Sequence, residues 1–169
     1  MVSARDQLLV VIDPVARLTD GESVRIARDV LGAGAAVRVC LPDSPEDFTK
    51  ALARRGARRL VVIGDDRALL RAVAALHRER VLGGTALSLV PVGAAQSLAR
   101  SLGVPAGAVA ASRAVLEGVE RRMDLLVDDS DGVVLRDLRI PSGGVGAGAS
   151  GASGAAGGLG GFGGFGGSW

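Results

Sequence analysis

Aromatic side chains are scarce in this chain: there is no tyrosine, and Phe48, Phe162, Phe165 and Trp169 are the only rings of their kind. Phe48 alone precedes residue 143, so a core must be assembled from Val, Leu, Ile and Ala. Cysteine occurs once, at Cys40, which excludes an internal disulfide and suits a reducing compartment, the cytoplasm. Histidine also occurs once, at His77, and without a cysteine–histidine set no zinc site is expected. Lys50 is the single lysine; the other cations are arginine, a compositional bias rather than a site. Apolar runs are short and none approaches the roughly 20 residues of a membrane span. The first residues, Met1 to Gln7, carry no apolar stretch of signal-peptide kind.

Charge is also missing from one region. No ionisable side chain lies between Gly143 and Trp169, a stretch that holds 14 of the 26 glycines. Such a segment buries too little apolar surface to offset the entropy of ordering glycine, so 143–169 is expected to be a disordered tail. Residues 1–142 remain as one domain of ordinary length. The net charge of +2 invites a nucleic-acid reading, but arginines alternate with acids along the chain. The one cluster, Arg54-Arg55 with Arg58-Arg59, lacks stacking aromatics and reads as a solvated helix end, so no nucleic-acid partner is expected.

What is present is an alternation of strand and helix signals. Leu8–Ile12 is an apolar run stopped by Asp13-Pro14, the pattern of a strand buried on both faces. A helix over Glu22–Leu31 closes at Gly32 and Gly34, and a second strand covers Ala36–Leu41. Ser44 and Pro45 open a helix that ends by Gly56. Leu60–Ile63 is a third strand, followed by Gly64-Asp65-Asp66 and a helix from Arg67 to Arg80. Leu87–Val90 is a fourth, with helices over Gln96–Leu102 and Ala108–Glu117 after it. Met123–Val127 and Val133–Leu138, joined by Asp128-Asp129-Ser130-Asp131-Gly132, are expected to form an antiparallel hairpin at one sheet edge. The acidic joint lacks the downstream Glu of a calcium loop and reads as a turn. This order predicts an α/β fold: a Rossmann-like open, mainly parallel sheet with helices on both faces.

Ligands of open α/β sheets sit beyond the carboxyl ends of the strands. Three segments qualify: Asp13-Pro14-Val15, Gly64-Asp65-Asp66-Arg67-Ala68, and Gly93-Ala94-Ala95-Gln96-Ser97. The second and third each start with glycine and open a helix, whose free amides make a phosphate cradle. These segments resemble the catalytic domain of diacylglycerol kinases and related lipid kinases, which share a nucleotide-binding plan with NAD kinases. That family opens with a strand ending in Asn-Pro, continues through Gly-Gly-Asp-Gly-Thr, and then has Pro-Leu-Gly-Thr-Gly-Asn-Asp-Phe-Ala-Arg-Ser-Leu-Gly-Ile-Pro. Here the last segment reads, without a gap, from Pro91-Val92-Gly93-Ala94-Ala95-Gln96-Ser97 through Leu98-Ala99-Arg100-Ser101-Leu102-Gly103-Val104-Pro105.

The resemblance implies ATP and Mg²⁺, phosphoryl transfer to a lipid hydroxyl, and Asp66 as the general base. It places the nucleotide against Asp13, Pro14, Gly64, Asp65, Arg67, Gly93, Ala94, Ala95 and Gln96. The chain departs from the pattern where the family grips phosphate. Asp65 and Arg67 replace two glycines, Ala68 replaces the threonine, and Ala94-Ala95 replace Thr-Gly. Asp13 replaces an asparagine, so three carboxylates are expected near a triphosphate. Asp66 also fits a helix N-cap, and Arg67 a compensating cation for phosphate. Proteins of this family continue into a β-rich second domain that completes the cleft and its lipid contacts, and the Gly-rich tail follows here instead. The expectation is a degenerate lipid kinase-like domain with weakened or lost catalysis. The alternative is a noncatalytic nucleotide-sensing or protein-interaction module on the same fold.

Overall fold

The computed structural model describes residues 7–130 and 132–135. The tail expected over 143–169 and the end of the expected last strand lie outside the described residues. Four strands, β1 (Gln7–Ile12), β2 (Ala36–Cys40), β3 (Arg59–Gly64) and β4 (Leu87–Pro91), form one sheet in the order β2-β1-β3-β4, and every pairing is parallel. The expected open α/β sheet is what the chain builds.

Alternation along β1 explains the layering. Leu8, Val10 and Ile12 face one layer with Val61, Ile63 and Val90, while Leu9 and Val11 face the other with Leu60, Val62 and Leu89. The first layer is covered by α1 (Pro14–Thr19), α2 (Gly21–Gly34) and α6 (Ala108–Glu117), through Ala16, Val24, Ala27, Leu31, Ala111 and Val115. The second is covered by α3 (Pro45–Ala53), α4 (Asp66–Arg78) and α5 (Ser97–Ser101), through Phe48, Leu52, Ala72, Leu76 and Leu98. Phe48 is completely buried, the one large ring in a core otherwise filled by aliphatic side chains and alanine. Along the central strands β1 and β3 the apolar side chains therefore point into a helix layer on either face, as parallel sheets require, while Arg38 on the edge strand β2 is exposed. Cys40 is half-buried at the end of the edge strand β2.

Three expectations need correction. Asp13-Pro14 does not simply stop a strand: it starts α1, with Asp13 as the cap and Pro14 in the first turn. The helix after β3 begins at Asp66, one residue early, and its cap is Asp65, not Asp66. The closing hairpin does not join the main sheet. Among the described residues its strands, β5 (Leu126–Val127) and β6 (Val133–Val134), pair only with each other, antiparallel and two residues long. The exposed, charged run Glu120-Arg121-Arg122 that precedes it offers nothing to bury at a sheet edge. The joint is the expected turn: Asp128 accepts hydrogen bonds from the Ser130 and Gly132 amides at 2.8 and 2.7 Å. Among the described residues, no helix is long and apolar enough to cross a membrane.

Candidate functional site

The chain goes from β1 to β2 on one side of β1 and returns to β3 on the other. The carboxyl ends of β1 and β3 therefore flank the point where strand order reverses, where open sheets form their crevice. A cleft of about 580 Å³ lies there, within the size range of small-molecule sites. Its walls come from α1 and the start of α2 (Val15, Ala16, Thr19, Asp20, Ser23), from the α4 entry (Asp65, Arg67), from the segment after β4 (Pro91 to Gln96), and from Gly107 and Ala108 at the start of α6.

Asp65, Arg67, Gly93, Ala94, Ala95 and Gln96 thus share one cleft, as the sequence predicts. Asp13, Pro14, Gly64 and Asp66 do not line it. Asp13 is buried behind the crevice: one carboxylate oxygen accepts from the Val15 amide at 3.1 Å, and the other from Arg71 at 2.9 Å. Arg71 also stands over the Phe48 ring, 5.5 Å from its centroid. Gly64 is pressed between two loops. A β-carbon there would lie 2.7 Å from Ala68 Cβ and 2.9 Å from Asp13 Cβ, so glycine answers to packing at this position.

Asp66 stitches the loops after β3 and β4 together. Its amide donates to the Ala95 carbonyl at 2.7 Å. Its carboxylate accepts from the Leu98 amide at 2.7 Å, the Ala99 amide at 2.9 Å and the Ser97 hydroxyl at 3.2 Å. It is buried, and it caps α5 from across the site. Asp65 does the same for α4, accepting from the Arg67 and Ala68 amides at 3.0 and 3.1 Å through one oxygen. The loop after β4 closes on itself through Gln96, whose side-chain amide donates to the Gly93 carbonyl at 2.7 Å. Gly93 takes φ +113°, where only glycine is unstrained, and so lets this loop turn beside Asp65.

Four amides at these helix starts, those of Arg67, Ala68, Leu98 and Ala99, are therefore taken by the chain's own carboxylates. The expected crowd of three acids also dissolves: Asp13 is paired with Arg71, Asp66 is held by amides, and only Asp65 faces the cleft. Asp20 joins it from a direction the sequence reading passed over. It caps α2, and hydrogen bonds from the Ser23 side chain and amide hold its carboxyl below the ordinary 3.8. An Asp three residues ahead of a Ser at a helix start was the available signal.

Over residues 7–127 the chain matches the family described as the diacylglycerol kinase catalytic domain. The chain belongs to that family. Two solved structures of a "putative diacylglycerol kinase" from Bacillus anthracis str. Sterne share its fold. They superpose with TM-scores of 0.63 and 0.62 at 18% identity, over 71% of this chain. The matched region spans 44% and 42% of their lengths, less than half of each. A comparison with curated proteins returned no match.

Diacylglycerol kinase catalytic domains use ATP and a divalent metal. The carboxylates that face the cleft, Asp65 and Asp20, are the ones that would hold the metal. Mg²⁺ needs one or two free carboxylates beside substrate phosphates. Asp13 and Asp66 are already engaged, and among the described residues no three acidic, histidine or cysteine side chains converge.

Proposed function

We propose that this chain is a diacylglycerol kinase-family domain that keeps the nucleotide cleft and has lost phosphoryl transfer to a lipid hydroxyl. One observation carries this reading: Asp65 and Asp66 occupy the amides at the starts of α4 and α5. Phosphate binding at a helix start depends on those amides being free and on the positive end of the helix. A carboxylate already bonded there supplies the negative charge itself, and a phosphate must displace it. By the resemblance Asp66 holds the place of the family's general base, but here it works as a clamp between loops. Acting as a base would put a proton on oxygens that the Leu98 and Ala99 amides already use.

The same reading places the domain in residues 1–142, with the Gly-rich remainder as a tail, and puts the protein in the cytoplasm. Its site residues are Asp65, Arg67 and the Gly93–Gln96 loop, supported from behind by Asp13, Pro14, Gly64 and Asp66. The test is a phosphoryl-transfer assay on the full chain, with labelled ATP, Mg²⁺ and diacylglycerol in mixed micelles. No labelled lipid above the protein-free blank is expected. Lipid phosphorylation that disappears in a folded Asp66→Asn variant would instead make Asp66 the base of a working kinase.

A further inference from the structure

Both apolar and charged residues line the cleft. Val15, Val92 and Ala108 contribute apolar surface, while Asp20, Asp65 and Arg67 supply the charges. Two carboxylates face one guanidinium, so the cleft carries a net negative charge. Hydrogen bonds from Ser23 hold the Asp20 carboxyl below its ordinary 3.8. Arg67 makes no ion pair among the described residues, and one cation does not offset two anions for a triphosphate.

Asp65 is divided in its use. Its Oδ1 atom caps α4, whereas Oδ2 has no hydrogen-bond partner among the described residues. A carboxylate oxygen accepts and never donates while ionised. It is thus matched to a ligand O–H and mismatched to a phosphate oxygen, which is also an acceptor. A ligand hydroxyl suits it, because a charge-assisted bond of this type is short and strong.

We infer that the cleft takes an uncharged nucleoside, its ribose diol on the free oxygen of Asp65 and its base against Val15, Val92 and Ala108, in preference to any nucleoside phosphate. The inference rests on the reading of the cleft as the family's nucleotide site and names the ligand class that this chain's own charges select. Asp65 is then the specificity residue.

The experiment is calorimetric titration of the full chain with adenosine, 2′,3′-dideoxyadenosine and ATP, without added metal, repeated on Asp65→Asn. Asparagine caps a helix as well as aspartate does, so the variant folds, which an unchanged melting temperature verifies. Adenosine should bind about tenfold or more tighter than ATP, a difference that calorimetry resolves directly. Removing both ribose hydroxyls should cost about tenfold. The Asn variant should weaken adenosine and strengthen ATP. Equal affinity for adenosine and its dideoxy analogue overturns the inference, as does ATP binding at least as tightly as adenosine. Absence of binding by all three ligands overturns it too, yet leaves the loss of phosphoryl transfer standing. Only turnover in the lipid assay removes that broader reading.

Discussion

The Asp66 carboxylate accepts a hydrogen bond from the Leu98 amide at 2.7 Å, across 32 residues of sequence. With the bond to Ala99, it makes the end of β3 and the start of α5 a single unit. Asp66 is an internal clamp between the two loops.

Replacing Asp66 with alanine leaves the Leu98 and Ala99 amides buried without an acceptor. Each such loss costs about 1–3 kcal/mol. The Asp66→Ala variant is expected to lose roughly 3 kcal/mol, and thermal denaturation should show a melting temperature lower by about 10 °C. Asp66→Asn, which keeps one acceptor oxygen, should lose less than half of that. Equal stability of all three proteins would mean that the clamp is not formed in solution.

Arg71 faces an Asp13 side chain that is 4% exposed, while its own is 31% exposed. Removing the cation leaves the buried carboxylate short of a partner, which for a fully buried pair costs about 3–5 kcal/mol. Solvent at Arg71 reduces this, and Arg71→Met should lose about 2 kcal/mol in urea unfolding. The double variant Arg71→Met with Asp13→Asn should recover part of the loss, since no unpaired charge then remains.

Gly64 is predicted to reject even one methyl group. A β-carbon would meet Ala68 Cβ at 2.7 Å and Asp13 Cβ at 2.9 Å, and Gly64→Ala should cost about 1–3 kcal/mol through overpacking. Adding Ala68→Gly opens one side of the contact. A positive coupling between the two substitutions in a double-mutant cycle verifies the packing explanation.

Two carboxylates at helix starts, the α2 cap Asp20 and Asp47 in the first turn of α3, predict a response to acid. Asp20 is held below the ordinary 3.8 by Ser23, and Asp47 by Ser44 with Lys50 behind it. A carboxyl depressed in the folded state stabilises above its unfolded value and loses that contribution as pH falls through the folded one. Both contributions should therefore be complete well above pH 3.8, begin to weaken as the unfolded chain protonates near it, and be lost as pH falls through the lower folded values. Carboxyl chemical shifts followed by NMR should place both midpoints under 3.8, and Asp20→Asn should remove the α2 part of the acid response.

The strands were legible because each is a short apolar run closed by a turn signal, with Leu8–Ile12 and Leu60–Ile63 marking the sheet's centre. The helix caps were only half legible. Asp65 and Asp66 are adjacent carboxylates at one helix entry, and residue type alone does not say which turns back to cap. The partner of Asp66 is more than thirty residues away, so no local pattern contains it. Helix α1 was hidden because Asp13-Pro14 both ends a strand and starts a helix, and that helix has only six residues. The site was visible as three loops; the Asp20 wall was not, since it depends on α1 bringing α2 over the strand ends.

Restoring the family's glycines tests the self-capping directly. Asp65→Gly with Arg67→Gly frees the amides at the start of α4 and removes one cleft carboxylate. The lost cap should cost about 1 kcal/mol of stability, and ATP affinity should rise by about tenfold.

The most direct measurement is a calorimetric titration of the full chain with ATP in the presence of Mg²⁺. If Asp65 and Asp66 fill the phosphate positions, the titration gives no saturable heat below millimolar nucleotide. A micromolar, Mg²⁺-dependent isotherm that Asp66→Ala weakens would contradict the account and return this chain to the working kinases.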